Sequence, residues 1–131
     1  MASTKSKSPT PVVYEYATCS TCKKALAYLR DAGVEAKTIP IATQAPSAET
    51  LMSWFAKSGL PAKKFFNTSG QSYRALVSDK GKDWVAARND AQIAALLSKD
   101  GKMIKRPIAL IGARVLVGFR QDEWAAALAG R

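Results

Sequence analysis

The two cysteines of this 131-residue chain, Cys19 and Cys22, stand three positions apart between two segments of different periodicity. Residues 12–16 before them are β-branched and aromatic, which predicts a strand, and residues 21–32 repeat apolar side chains at helical spacing. A strand that runs through the cysteines into a helix places both thiols at the helix N-terminus. Unpaired backbone N–H groups and the helix dipole favour an anion there. The pattern therefore constrains this region to a strand, a thiol-bearing turn and a helix.

A Cys-x-x-Cys pair at a helix N-terminus predicts redox or nucleophilic chemistry, because the first thiol of such pairs typically has its pKa lowered from about 8.5 to about 3.5–7.5. Cys19 precedes the helix and is the predicted nucleophile, and Cys22 in the first turn is the predicted resolving thiol. Inert core cysteines and a metal site shared between chains are the alternatives. Zinc needs about four ligands, and this chain has two cysteines and no histidine, so we expect no metal.

Composition indicates one globular domain, with 47% apolar residues, and a formal charge of +10. No stretch resembles a membrane span or a secretory signal, so we expect a cytoplasmic protein without membrane contact. The positive charge would attract nucleic acid, acidic proteins or small anions. The basic residues are scattered in pairs and form no DNA-binding motif, so specific nucleic-acid binding is not expected. A solvated surface and an acidic protein partner remain as alternatives.

The order of predicted elements gives the fold class. We expect a disordered tail over residues 1–11 and a single domain over residues 12–131. A β-α-β half would end with a strand at 34–39, and a ββα half would contain a hairpin around Gly112-Ala113 and a closing helix at 121–128. Between the halves, about residues 46–101 are predicted to form a helical insertion. This order is the thioredoxin arrangement, an α/β fold on one mixed sheet.

A proline at the start of a strand, Pro107, requires either a sheet-edge position or a cis peptide bond. In the thioredoxin arrangement a cis proline lies opposite the cysteine loop, which would direct Arg106 towards a thiolate or a bound anion. The polar turn that begins at Asn67 either faces the same cleft or is an ordinary loop. The candidate catalytic residues are Cys19, Cys22 and Arg106, and the candidate substrate-binding residues are Pro107, Asn67, Ser20 and Thr21.

Three motifs resemble the arsenate reductase-like (ArsC/Spx) family over about residues 12–129: YATCSTCKK from Tyr16, KFFNTSG from Lys64 with Tyr73-Arg74, and KRPI from Lys105 with VLVGF from Val115. That family contains glutaredoxin-dependent arsenate reductases, Spx-type transcriptional regulators and a Cys-x-x-Cys subgroup of uncharacterised thiol proteins. The resemblance implies a thioredoxin-like fold with a helical insertion, a catalytic Cys19 and an anion-binding Arg106.

The chain departs from the arsenate reductases of this family at three positions. Asn67 and Val117 stand where those enzymes carry two further arginines, and a charge-assisted contact to an oxyanion is worth about 1.5–3 kcal/mol each. Those enzymes also usually lack a cysteine equivalent to Cys22 and use glutathione to resolve the intermediate. Spx-type regulators do carry the cysteine pair, and they bind the C-terminal domain of the RNA polymerase α-subunit.

We therefore expect a monomeric thiol-disulfide oxidoreductase-like protein that acts on a thiol or disulfide substrate. It would need no metal or organic cofactor and would take electrons from glutathione, glutaredoxin or thioredoxin. The alternatives are a Spx-type redox-sensing regulator that binds RNA polymerase through its basic surface, and an arsenate reductase.

Overall fold

The computed structural model describes residues 10–131, in which the strands form one mixed four-stranded sheet. The strands are β1 (Val12–Glu15), β2 (Lys37–Pro40), β3 (Ile108–Ile111) and β4 (Arg114–Val117), and their order in the sheet is β2-β1-β3-β4. β3 is antiparallel to both neighbours, with Val13 opposite Ala109 on one side and Leu116 opposite Ala109 on the other. The α/β thioredoxin-like fold is confirmed.

Helices make up most of the remaining chain. The α-helices are α1 (Ser20–Asp31), α2 (Ala48–Ser58), α3 (Gln71–Lys80), α4 (Lys82–Ala86), α5 (Asp90–Lys99) and α6 (Gln121–Gly130), and short 3₁₀ helices span Ala62–Phe65 and Gly101–Met103. The helical character predicted for residues 46–101 is confirmed. Within residues 10–131 no helix is both long enough and apolar enough to cross a membrane.

The chain divides into two compact units, one formed by the described residues up to Ile39 together with Arg106–Arg131 and the other by Pro40–Lys105. The single domain over residues 12–131 stays a prediction. Most of the predicted tail, residues 1–9, lies outside the described residues. Pro11 is buried, and its carbonyl oxygen accepts a 2.8 Å hydrogen bond from the backbone N–H of Lys37 at the start of β2.

In the first unit, a hydrophobic core joins the sheet to α1 and α6. Its fully buried members are Val13, Ala25, Leu29, Ala109, Ile111, Leu116, Trp124 and Ala127. Trp124 has no exposed surface, and its indole N–H donates a 3.1 Å hydrogen bond to the carbonyl oxygen of Gly118. Ala109 and Ile111 are two positions apart on β3 and therefore face the same side of the sheet, and Ala25 and Leu29 are four positions apart on one face of α1. These two spacings explain why α1 packs against the sheet.

The second strand begins three residues later than the predicted 34–39. The end of α1 is a Schellman motif, in which Gly33 has a φ of +72° and its N–H bonds to the carbonyl oxygen of Arg30 at 3.0 Å. The N–H of Val34 bonds to the carbonyl oxygen of Leu29 at 2.9 Å. These bonds hold Val34 in the helix terminus, so β2 starts only at Lys37. The predicted hairpin is confirmed, with Gly112 at a φ of +60° in its two-residue turn.

In the second unit, the core lies between α2 and α5. Phe55 of α2 contacts Phe65 edge to face, with ring centroids 4.9 Å apart. α5 begins with a capping box: the Asn89 side chain accepts from the Gln92 N–H at 2.8 Å, and the Gln92 side chain accepts from the Asn89 N–H at 2.9 Å. By contrast, α3 contains no buried residue.

Candidate functional site

Cys19 caps the N-terminus of α1. Its backbone is extended, with φ −83° and ψ 112°, and its Sγ accepts a 3.2 Å hydrogen bond from the backbone N–H of Cys22. Its own N–H donates to the carbonyl oxygen of Tyr16 at 3.0 Å, which ties the turn back to the end of β1. Sulfur thus takes the place of the hydroxyl or carboxylate oxygen that usually caps a helix. The predicted placement of the thiols at a helix N-terminus is confirmed.

The two thiols have different environments. Cys19 is half-buried, whereas Cys22 is only 1% exposed and packs on the inner face of α1. Burial, together with a hydrogen bond from the Cys22 thiol to Cys19, raises the pKa of Cys22 to about 12. A backbone hydrogen bond from Tyr16 and the positive charge of Arg106 act in the opposite direction. Cys22 is therefore a protonated, enclosed thiol at neutral pH, and Cys19 is the accessible one.

Arg106 approaches the cysteine turn from the start of β3. Of the two alternatives for Pro107, the structure has the cis peptide bond. The guanidinium carbon of Arg106 lies 4.4 Å from the centroid of the Tyr16 ring, within the range of a cation–π contact. Pro107 is buried, and its carbonyl oxygen accepts a 2.8 Å hydrogen bond from the N–H of Gly118. Arg106 thus stacks on the residue that anchors the cysteine turn, and its charge acts on the Cys22 thiol. The catalytic role of each residue stays a prediction.

Ser20 and Thr21 occupy the first two helical positions of α1, and both are exposed. They lie between the two cysteines in sequence. Their substrate-binding role stays a prediction, as does that of Pro107. Val117, at the end of β4, pairs with Ile108 in the hairpin.

Asn67 belongs to the second unit and makes a local polar turn. Its backbone N–H bonds to the carbonyl oxygen of Met103 at 2.8 Å, and its side chain contacts the Lys102 carbonyl oxygen at 3.5 Å. Its Oδ1 accepts from the Ser69 hydroxyl at 3.4 Å. These contacts account for the conformation of the turn, and the substrate-binding role of Asn67 stays a prediction.

Sequence reasoning missed Tyr16. Tyr16 is the last aromatic residue before the cysteine turn, but no local sequence pattern indicates a contact with Arg106, which is remote in sequence. The structure brings the Tyr16 ring and backbone together with Cys19, Cys22 and Arg106. Among residues 10–131 no three His, Cys, Asp or Glu side chains are grouped so as to hold a metal ion.

Comparison with known proteins places this arrangement in a family. The model of the ArsC family matches residues 14–127. An uncharacterised protein of Bacillus subtilis (strain 168), YusI, is 43% identical over 111 residues, which are 85% of this chain and 92% of that protein. The match to the family model spans the region that contains Cys19, Cys22 and Arg106.

Two solved structures share both sequence and fold with this chain. The crystal structure of an ArsC family related protein from Bacteroides fragilis superimposes with a TM-score of 0.83 and 37% identity, covering 92% of this chain and 99% of that one. A possible arsenate reductase from Streptococcus mutans UA159 has a TM-score of 0.76 and 38% identity, covering 88% of this chain and 98% of that one. On the match to the family model, the extent of the identity and the shared fold, this chain belongs to the ArsC family.

Proposed function

We propose that this protein is a thiol-disulfide oxidoreductase in which Cys19 attacks a disulfide substrate and Cys22 resolves the intermediate. One observation carries the proposal: the enclosed Cys22 contacts the sulfur of the more accessible Cys19 at a helix N-terminus. Membership of the ArsC family, whose solved members include proteins described as arsenate reductases, supports a thiol-based redox function. A thiol redox partner follows from that chemistry, and the reducing cytoplasm is where we expect it to act.

The reaction has two displacements. The Cys19 thiolate attacks one sulfur of the substrate disulfide, the substrate S–S bond breaks, and the first substrate thiolate leaves and takes up a proton. Cys22 then loses its proton to solvent and attacks Sγ of Cys19, which expels the second substrate thiolate. The substrate gains two electrons and becomes two thiols, and the protein is left with a Cys19–Cys22 disulfide. Glutathione, glutaredoxin or thioredoxin would return two electrons and two protons to the pair.

The environment of each thiol suits its step. Cys19 presents its sulfur at the N-terminus of α1, where it accepts a hydrogen bond from the backbone N–H of Cys22. Cys22 stays protonated until the mixed disulfide forms, so it does not compete for the substrate. Arg106 lowers the pKa of Cys22 against the effect of burial, which favours the thiolate needed for the second displacement.

The proposal is tested with a glutathionylated peptide as substrate, and turnover is followed through glutathione reductase and NADPH. The unsubstituted protein should turn over, Cys22→Ala should accumulate a glutathione adduct on Cys19, and Cys19→Ser should form no adduct. Adduct position is read by peptide mass spectrometry. An adduct found first on Cys22, or no reduction of the peptide by the unsubstituted protein, contradicts the proposal.

Arsenate reduction is the second candidate, favoured by the position of Arg106 beside the cysteine pair and by the similarity to the possible arsenate reductase from Streptococcus mutans. The resemblance argues against arsenate reduction, because it implies an arginine in the arsenate reductases at the positions of Asn67 and Val117, and neither residue offers a charge-assisted contact to an oxyanion. The same coupled assay with arsenate in place of the peptide decides the matter. NADPH oxidation that depends on arsenate and on Cys19 would establish arsenate as a substrate.

The redox-sensing regulator is the third candidate, and it is favoured by the hydrogen bond between the Cys22 thiol and Cys19 on a chain with a formal charge of +10. Such a protein would bind the C-terminal domain of the RNA polymerase α-subunit in only one redox state. A binding measurement with that purified domain, on the oxidised and the reduced protein, distinguishes the regulator from an enzyme. Equal binding of the domain by the oxidised and the reduced protein, or no binding in either state, would contradict a redox-sensing regulator.

A further inference from the structure

We infer that Tyr16 is a positioning residue for the cysteine pair, because its ring holds the Arg106 guanidinium beside the thiols while its backbone anchors the turn. This inference rests on the proposed function, since it assigns Tyr16 to the second displacement, in which Cys22 attacks Cys19. The motif similarity and the family membership assign no role to the Tyr16 side chain, so the role is inferred from the contacts of Tyr16.

Tyr16 meets every member of the predicted catalytic set. Its carbonyl oxygen accepts the N–H of Cys19 at 3.0 Å, and its backbone also hydrogen-bonds to the Cys22 thiol. Its ring lies 4.4 Å from the guanidinium carbon of Arg106. The backbone contacts persist when the side chain is substituted, whereas the ring contact does not. The ring can therefore be tested separately from the anchoring of the turn.

The ring contact matters because the side chain of Arg106 is long and flexible. An arginine loses much rotamer freedom when it is held in one place, and stacking on an aromatic face restricts it before any substrate binds. The charged and titratable groups that act on the Cys22 thiol are Arg106 and Cys19. Arg106 favours the Cys22 thiolate, and burial and Cys19 oppose it. A guanidinium that moves away from the pair leaves fewer Cys22 thiolates, which slows the second displacement.

A merely structural role for Tyr16 predicts a different result. Tyr16 is half-buried, so loss of its ring also removes packing at the end of β1. Lost packing would lower stability and disturb both displacements alike. If Tyr16 positions Arg106, substitution of its ring slows the second displacement selectively and moves the pH midpoint of that displacement upward. The same substitution has no effect on the second displacement when Arg106 is already absent.

The experiment follows both displacements with 4,4′-dithiodipyridine, a neutral disulfide that does not itself respond to the charge of Arg106. Attack by Cys19 releases one thiopyridone, and attack by Cys22 on the mixed disulfide releases the second. Stopped-flow absorbance resolves the two phases across a range of pH. The variants are Tyr16→Phe, Tyr16→Leu, Arg106→Gln and the Tyr16→Leu/Arg106→Gln double variant. Tyr28→Leu is the matched control, because Tyr28 is a half-buried aromatic on α1 that packs on Phe119 at 5.6 Å.

We expect Tyr16→Leu and Arg106→Gln each to slow the second phase by about tenfold and to move its pH midpoint upward. Tyr16→Phe keeps the aromatic face and should stay within about twofold of the unsubstituted protein. The double variant should be no slower than Arg106→Gln alone. Tyr28→Leu should leave the ratio of the two phases unchanged.

Two results overturn the inference alone, and a third overturns it together with the proposed function. A second phase that Tyr16→Leu slows no more than Tyr28→Leu does, or effects that multiply in the double variant, removes the positioning role while two-step exchange stands. Release of a single thiopyridone by the unsubstituted protein shows that Cys22 does not resolve the mixed disulfide, and it overturns both.

Discussion

The backbone N–H of Cys22 donates a 3.2 Å hydrogen bond to Sγ of Cys19, so the residue that carries the second thiol also binds the sulfur of the first. The same turn of α1 that exposes part of Cys19 encloses Cys22, which is 1% exposed. One residue therefore serves both steps of the proposed exchange, through its N–H in the first and its side chain in the second. The proposed order of action rests on this asymmetry as well as on the spacing of the cysteines.

The asymmetry predicts the order of alkylation. At pH 8 a thiol with a pKa of about 12 exists as a thiolate in about one molecule in ten thousand, and Cys22 is also shielded from the reagent. Limiting iodoacetamide should therefore label Cys19 at least about a hundredfold faster than Cys22. Peptide mass spectrometry after a time course measures the ratio. In 6 M guanidinium chloride the preference should vanish, and comparable labelling of both cysteines in the folded protein would contradict the assigned environments.

Local patterns were enough to predict the part of the site that lies within one short stretch. The strand, the cysteine turn and the helix follow one another, so the periodicity of residues 12–32 placed Cys19 and Cys22 correctly. The start of α5 depends on an equally local pattern, because Asn89 and Gln92 form a capping box within a single turn. In each case the interactions that define the structure join residues within four positions of each other.

Contacts between segments remote in sequence could not be predicted from local patterns. The stacking of Arg106 on Tyr16 depends on β1 and β3 being neighbours in the sheet, and no sequence period reports that pairing. Helix α3 was predicted only as part of a helical region, because it has no buried residue and therefore no strong apolar stripe to mark it. The late start of β2 was missed because the Schellman motif at Gly33 extends the helix terminus into the predicted strand.

Gly101 should be intolerant of any side chain. A Cβ at this position would overlap the backbone carbonyl oxygen of Ile41, and a backbone atom cannot move aside as a flexible side chain does. We expect Gly101→Ala to lower the free energy of unfolding by at least about 2 kcal/mol. Urea unfolding measures the loss. Gly130→Ala is the matched control, because a Cβ there meets nothing within 4 Å, and it should change stability by less than about 0.5 kcal/mol. Equal effects of the two substitutions would contradict the close approach.

The capping box at α5 should contribute measurably to stability. Asn89→Ala removes the acceptor for the Gln92 N–H at 2.8 Å and should lower the free energy of unfolding by about 1 kcal/mol. Asn89→Asp keeps an acceptor and places a negative charge at the helix N-terminus, so it should retain most of the stability. Urea midpoints of the two variants and the unsubstituted protein give the comparison. A loss as large for Asn89→Asp as for Asn89→Ala would exclude the hydrogen bond as the cause.

The reduced protein should lose stability as the pH rises through the alkaline range, and Cys22 should account for part of the loss. Its pKa is raised from about 8.5 in the unfolded chain to about 12 in the folded protein. Between these two pKa values the folded protein keeps the proton of the Cys22 thiol, whereas the unfolded chain has released it. The contribution is fully present below about pH 8.5 and falls by up to about 1.4 kcal/mol per pH unit between pH 8.5 and 12. Burial also raises the pKa of Tyr14, whose effect has the same sign at higher pH.

Comparison with Cys22→Ala isolates the Cys22 contribution, because Tyr14 is present in both proteins. Urea unfolding of both, in a phosphine reductant at pH 7.5, 9.0 and 10.0, gives the free energy of unfolding at each pH. Cys22→Ala should be less stable at pH 7.5, since it leaves a small cavity at a buried position. Its stability should nevertheless fall less steeply above pH 8.5, so the difference between the two proteins narrows. Parallel pH profiles would mean that Cys22 ionises as readily in the folded protein as in the unfolded chain, which its burial beside Cys19 does not allow.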